Sequence, residues 1–140
     1  MNFGESLTSL MIERNLDSKT LASNLSVSRN SVNNWKSNRT DIRLPHLIEL
    51  CRYFNCSLDY LVGRTVQEAK PRNFELSNFG KQIRKVMKSR NISTYTLQKD
   101  TRFYGKFFHD WDRGSYPQLS TLIELANYLN CSLDELVGLE

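Results

Sequence analysis

Residues 29–34, RNSVNN, place one guanidinium and three carboxamides within six positions. Each of these groups offers two hydrogen-bonding atoms in one plane, a geometry that suits a flat edge carrying two complementary atoms. Nothing else in the chain points to bond-making chemistry. There is no acid/base pair, no Cys–His arrangement and no phosphate-cradling glycine loop, so an enzyme is not expected. The cysteines Cys51, Cys56 and Cys131 show no C-x-x-C spacing, and His46 and His109 are the only histidines available to join them. No metal site and no cofactor are expected, and the thiols read as reduced core side chains.

Chemistry at residues 29–34 requires that they share a face. At 100° per residue, Arg29, Asn33, Asn30 and Asn34 fall within an arc of about 140°, with Val32 and Trp35 on the other side. Such a helix packs one face and offers hydrogen-bonding side chains on the other. Arg and Asn there can pair bidentately with guanine and adenine edges in the major groove of double-stranded DNA. Asn is a poor helix former, so three in five residues suggest selection for something besides stability.

The elements that must hold this helix come from an internal repeat. LIELCRYFNCSLDYLVG at 47–63 returns as LIELANYLNCSLDELVG at 122–138, an offset of 75 residues. Upstream, Phe3-Gly4 matches Phe79-Gly80, Leu7 matches Ile83, Met11 matches Met87 and Trp35 matches Trp111, at an offset of 76. In the first copy, Phe3, Leu7, Leu10 and Met11 form one apolar helical stripe. Asp17 reads as the N-cap of a second helix ending at Leu25, and Ser28 as the cap of a third ending near Trp35. A fourth is expected over Pro45 to Phe54, and a fifth, capped by Ser57, stops at Gly63. The fold class expected is all-α: two tandem five-helix modules, residues 1–64 and 79–140, joined by a linker over 65–78. Extended, that linker spans about 50 Å, more than the roughly 34 Å between adjacent half-sites on DNA.

LASNLSVSRNSVNNWKSN followed by LIELCRYFNCSLDYLVG resembles the XRE-type, Cro/cI-like helix-turn-helix transcriptional regulators, in two tandem copies. The likeness covers about residues 3–63 and 79–138. In that family a small residue in the second helix, an apolar residue after the turn and an aromatic ending the third helix lock two helices together. Ala22, Val27 and Trp35 match those places. The resemblance implies a lambda-repressor-like fold and a DNA-binding transcriptional regulator, as a repressor of a phage or mobile element. Arg29, Asn30, Asn33 and Asn34 are then the base readers. Ser18, Lys19, Ser28, Lys36, Asn38, Arg39 and Arg43 are the candidate phosphate contacts, which fix register without reading sequence.

The second copy departs from this pattern. Gln98 stands for Ala22, Thr101 for Leu25, and Arg102-Phe103-Tyr104 for Ser26-Val27-Ser28. Tyr104 caps poorly, and the outward arc becomes Gly105, Lys106, His109 and Asp110. Two roles remain open for Tyr104, Lys106, Phe107, His109 and Asp110. One is contact with a second DNA half-site, supported by the basic helix carrying Lys81, Arg84, Lys85, Lys88 and Arg90; this is the favoured expectation, with an asymmetric site. The other is a protein contact, as a homodimer or with a partner, in an antitoxin-like module.

Charge does not choose between them. The 140-residue chain carries 19 Lys and Arg against 15 Asp and Glu, net +4, a surplus that suits a nucleic-acid partner without proving one. No apolar run approaches the roughly 18 residues of a membrane span, and the first residues lack a signal-peptide apolar region. A cytoplasmic protein without membrane contact is expected.

Overall fold

Asn2 starts the first helix by accepting the Glu5 amide on its side chain. The computed structural model describes residues 1–140 and contains ten α-helices and no strand. The first five are α1 (Phe3–Glu13), α2 (Ser18–Leu25), α3 (Arg29–Lys36), α4 (Leu44–Phe54) and α5 (Leu58–Leu61). The second five are α6 (Phe79–Ser89), α7 (Thr94–Asp100), α8 (Gly105–Asp112), α9 (Leu119–Leu129) and α10 (Leu133–Val137). The caps expected from sequence are in place: Asp17 accepts from the Thr20 amide, Ser28 from Ser31 and Ser57 from Tyr60. Each satisfies one of the amides a helix start leaves without a partner. Tyr104 makes no side-chain cap bond.

The chain divides into two compact units, Met1–Ile42 with His46–Pro71, and Arg43–Pro45 with Arg72–Glu140. The segment expected as a free linker is occupied on both units. The Ser57 amide donates to the Ala69 carbonyl and the Tyr60 hydroxyl donates to Glu68. In the second unit the Arg72 amide donates to Leu139 and the Tyr116 hydroxyl to the Ser77 carbonyl. Ala69 and Glu68 are thus bonded within the first unit, and Arg72 and Ser77 within the second.

In the first unit Leu7, Leu21, Val32, Leu47 and Leu58 are wholly buried and Trp35 nearly so. The second unit buries Ile83, Leu97, Phe103, Leu122 and Leu133 completely. Cys51 and Cys56 are buried as expected, but Cys131 is half-buried, so it is not the core thiol that its place in the repeat implied. None of the three forms a disulfide.

The glycine after each leading phenylalanine is required by a close approach. A Cβ on Gly4 would lie 2.9 Å from the carbonyl carbon of Lys36 and closer still to its oxygen. On Gly80 it would meet the Asp112 amide nitrogen at 3.0 Å and run into that residue's carboxylate. A glycine therefore lets α1 cross the end of α3, and α6 the end of α8. Gly4→Ala is expected to destabilise its unit by about 1–3 kcal/mol, because the obstructing atoms are backbone. Gly80→Ala is expected to cost less, since a carboxylate can swing away. Thermal melts of the two variants check the order.

The turns separate the copies. In the first unit Asn15, Ser26, Asn38, Asn55 and Gly63 have positive φ; in the second, Asn91, Gly114, Asn130 and Gly138 do. Each position has its counterpart in the repeat except Ser26, the left-handed residue that closes α2 at φ 57°. Its matching stretch leaves α7 through Thr101 in an extended conformation, φ −130°. The tight turn of the first copy is absent from the second. Accordingly α2 packs closely on α3, while α7 and α8 make little direct contact.

Candidate nucleic-acid interface

Val32 and Trp35 point one face of α3 into the core and so turn the other outward. Arg29, Asn30 and Asn33 are exposed and Asn34 is half-buried. No side-chain hydrogen bond within the protein engages any of the four, so their paired donors and acceptors are available together. Ala22, 3% exposed, gives the room for α2 and α3 to approach. The four base-reading candidates are therefore on one rigid surface.

The phosphate candidates divide. Lys19, Arg39 and Arg43 are exposed cations. Lys36 is half-buried and donates from Nζ to the Ser18 hydroxyl at 3.2 Å, which brings its charge to the first turn of α2. The amides there also favour an anion. Ser18 itself is buried, so its hydroxyl positions Lys36 and is not a surface donor. The Ser28 hydroxyl is committed to capping α3 through Ser31. Asn38 accepts from the Gly4 amide and donates to Asn2, both at 3.0 Å, and so fastens the end of α3 to the start of α1. Ser18, Ser28 and Asn38 thus have internal duties that their sequence positions did not reveal.

Asp17 stands beside this cationic edge. Hydrogen bonds from the Thr20 amide and hydroxyl hold its carboxyl below the usual value, with Arg29 and Lys19 adding a smaller favourable field. It remains ionised at neutral pH beside those cations.

The corresponding surface of the second unit is built differently. Lys19, Arg29, Lys36, Arg39 and Arg43 have as counterparts Tyr95, Gly105, Asp112, Ser115 and Gln118. None of these five cations is kept, while Lys106 and Arg113 stand at the places of Asn30 and Ser37. Asp112, where Lys36 stood, is clamped bidentately by Arg84, with Nη2 3.0 Å from Oδ2. That hydrogen-bonded guanidinium keeps the Asp112 carboxyl below its ordinary value. Gly105, Lys106 and His109 are exposed and Asp110 is half-buried.

The aromatics of α8 are mostly interior. Phe103, at the place of Val27, is fully buried, and Phe108 and Trp111 are 4% and 3% exposed. Phe107 is half-buried edge-on to Phe103 at 5.1 Å, with the Arg102 guanidinium 5.5 Å from its ring centre. Arg102 also lies 4.5 Å over Phe103 and pairs with Glu124 at 3.1 Å. The ring of Phe107 thus packs within its own module and stays half-buried. Tyr104, 56% exposed, lies outside, as does Tyr95 of α7 at 76%. Gln98, in Ala22's place, is exposed.

A family profile described as the Cro/C1-type HTH DNA-binding domain matches residues 6–65 and again 82–140. The chain belongs to that family. Neither a curated protein nor a solved structure matches it closely enough to count as a relative. As a tandem Cro/C1-type protein it is a DNA-binding regulator, and no helix is long and apolar enough to cross a membrane. The two matches are alike in fold, yet only the first carries an outward arc of Arg and Asn flanked by cations.

Proposed function

We propose that this is a sequence-specific regulator of transcription, a repressor that reads double-stranded DNA by placing α3 in the major groove. The observation that carries the reading is the exposed, internally unpartnered set Arg29, Asn30 and Asn33, with Asn34 beside it, on a helix anchored by Val32 and Trp35. Lys19, Lys36 and Arg39, on the same unit as that arc, supply the electrostatic hold on phosphates. Repression follows from occupying a promoter, which asks nothing more of the chain than tight binding.

The second half-site expected from the tandem arrangement is not part of this reading. A base-reading α8 would present Lys106, His109 and Asp110 on the outward arc, with Gly105 in the place of Arg29 and no cation kept at the places of Lys19, Lys36 and Arg39. Base recognition is assigned to the first module alone.

Arg29→Ala is expected to weaken specific binding by about 1–3 kcal/mol and to relax preference at one base pair, as for a bidentate guanine contact. Competition shifts against a panel of single-base variants measure this. A uniform loss on every sequence would make Arg29 a phosphate contact and remove it from the reading set. The other reading, an antitoxin-like module holding a partner or a second copy, draws on the exposure of Tyr104. Partner capture abolished by Tyr104→Ala and untouched by Arg29→Ala would favour it.

A further inference from the structure

Helix α6 carries a charge pattern that α1 lacks. Its buried residues are Phe79, Gly80, Ile83, Val86 and Met87. On a wheel of 100° per residue, Lys81, Lys85 and Lys88 fall within about 60° of one another and directly opposite that buried face. All three are exposed, and none has a carboxylate within ion-pair distance. The arginines around them are committed: Arg84 to Asp112, Arg90 to Glu135 at 2.5 Å, Arg102 to Glu124. At the matching positions of α1 stand Glu5, Ser9 and Ile12. The lysine row therefore belongs to the second module alone, the module that keeps no counterpart of Lys19, Arg29, Lys36 or Arg39.

We propose that the second module holds DNA by the sugar–phosphate backbone through Lys81, Lys85 and Lys88 of α6, and not by α8 in the groove. The dimensions agree. Seven residues of helix separate Lys81 from Lys88, about 10 Å at 1.5 Å per residue, and about 10 Å of duplex axis carries three phosphates of one strand. Three mobile ammonium groups on one straight row can follow such a strand without reading bases, since ammonium binds phosphate as a point charge. The second module then adds affinity and residence time, and leaves the choice of sequence to α3. Joining a specific and a non-specific contact in one chain raises the effective concentration of the second wherever the first has docked.

This rests on the reading of the first module as the sequence reader, and the test keeps the two apart. The intact chain and two triple variants, Lys81→Gln/Lys85→Gln/Lys88→Gln and Lys99→Gln/Lys106→Gln/Arg113→Gln, are titrated on one preferred duplex over a range of salt. Circular dichroism verifies that each is folded. Loss of three phosphate contacts flattens the slope of log K against log salt by about 2.7, so between 50 and 200 mM the first variant loses about 40-fold less affinity than the intact chain. Its ranking of DNA sequences is unchanged, and the second variant keeps the full slope. An unchanged slope in the α6 variant overturns the inference. So does a flattened slope in the second variant alone, which would put α8 on the duplex, or an equal flattening in both, which would mean diffuse charge. Absence of sequence preference in the intact chain would instead overturn the reading of α3.

Discussion

Changing Arg29, Asn30 and Asn33 together to alanine is expected to lower affinity for the preferred site by about 10²-fold or more, toward the level of unrelated DNA. A good bidentate base contact contributes about 1–3 kcal/mol of discrimination, and three lie within one arc. The same change leaves the module folded and raises its melting temperature slightly. The three side chains are exposed and make no hydrogen bond within the protein, and alanine is the better helix former by up to about 0.7 kcal/mol per residue. Binding isotherms and melts on one preparation check both halves. A variant that melts much lower would mean these residues hold the fold, and its lost binding would then say nothing of recognition. The conflict between helix propensity and residue choice is local to α3, where a functional surface is expected to violate a rule that the rest of the helix obeys.

The second large effect is on stability, and it separates the modules. Trp35 and Trp111 sit at equivalent places and are 5% and 3% exposed. Trp111 meets Phe79 edge-on at 5.0 Å and Phe108 at 5.2 Å, while Trp35 lies tilted against His46 at 5.4 Å. Truncating a buried Trp to Ala costs about 3–5 kcal/mol, close to all that a core of this size supplies. Trp35→Ala is therefore expected to unfold the first module, abolishing sequence-specific binding while amide signals of the second persist. Trp111→Ala should do the reverse: the sequence ranking survives and affinity falls. Two-dimensional amide spectra of the full chain, read beside binding, distinguish these results. Simultaneous collapse of both modules from either change would show that the two cores are one cooperative unit.

The parts of this protein that were legible in the sequence are those whose causes are local. The stripe from Phe3 to Met11, the caps at Asp17, Ser28 and Ser57 and the stop at Gly63 depend on neighbours a few residues away, and all appear as expected. The outward arc of α3 follows from helical geometry and two buried anchors. What could not be read depends on distant partners. Gly4 is glycine because the backbone at Lys36 lies against it, and Asn38 is spent on Gly4 and Asn2, more than thirty residues upstream. The place of Ser18 at the start of α2 suggests a donor to phosphate, but its buried hydroxyl accepts from Lys36, eighteen residues on. The loss of the flanking cations was present in the repeat all along: pairing each of Lys19, Arg29, Lys36, Arg39 and Arg43 with its counterpart displays it without any coordinates. The altered turn was half visible. Arg102-Phe103-Tyr104 signalled a change, but only the fold places Phe103 inside, Phe107 against it and Tyr104 outside.

The central claim is that one module of two reads sequence, and site selection from a random duplex pool tests it most directly. The intact chain, the Arg29→Ala/Asn30→Ala/Asn33→Ala variant and a Lys106→Ala/His109→Ala variant are each used, and the enriched site is footprinted. The expected result is one specified half-site per chain, lost with the α3 variant and unaltered by the α8 variant, beside a flank that is protected but unspecified. Two unlike half-sites, one of them surviving the α3 variant and disappearing with the α8 variant, would contradict the account and return α8 to the groove.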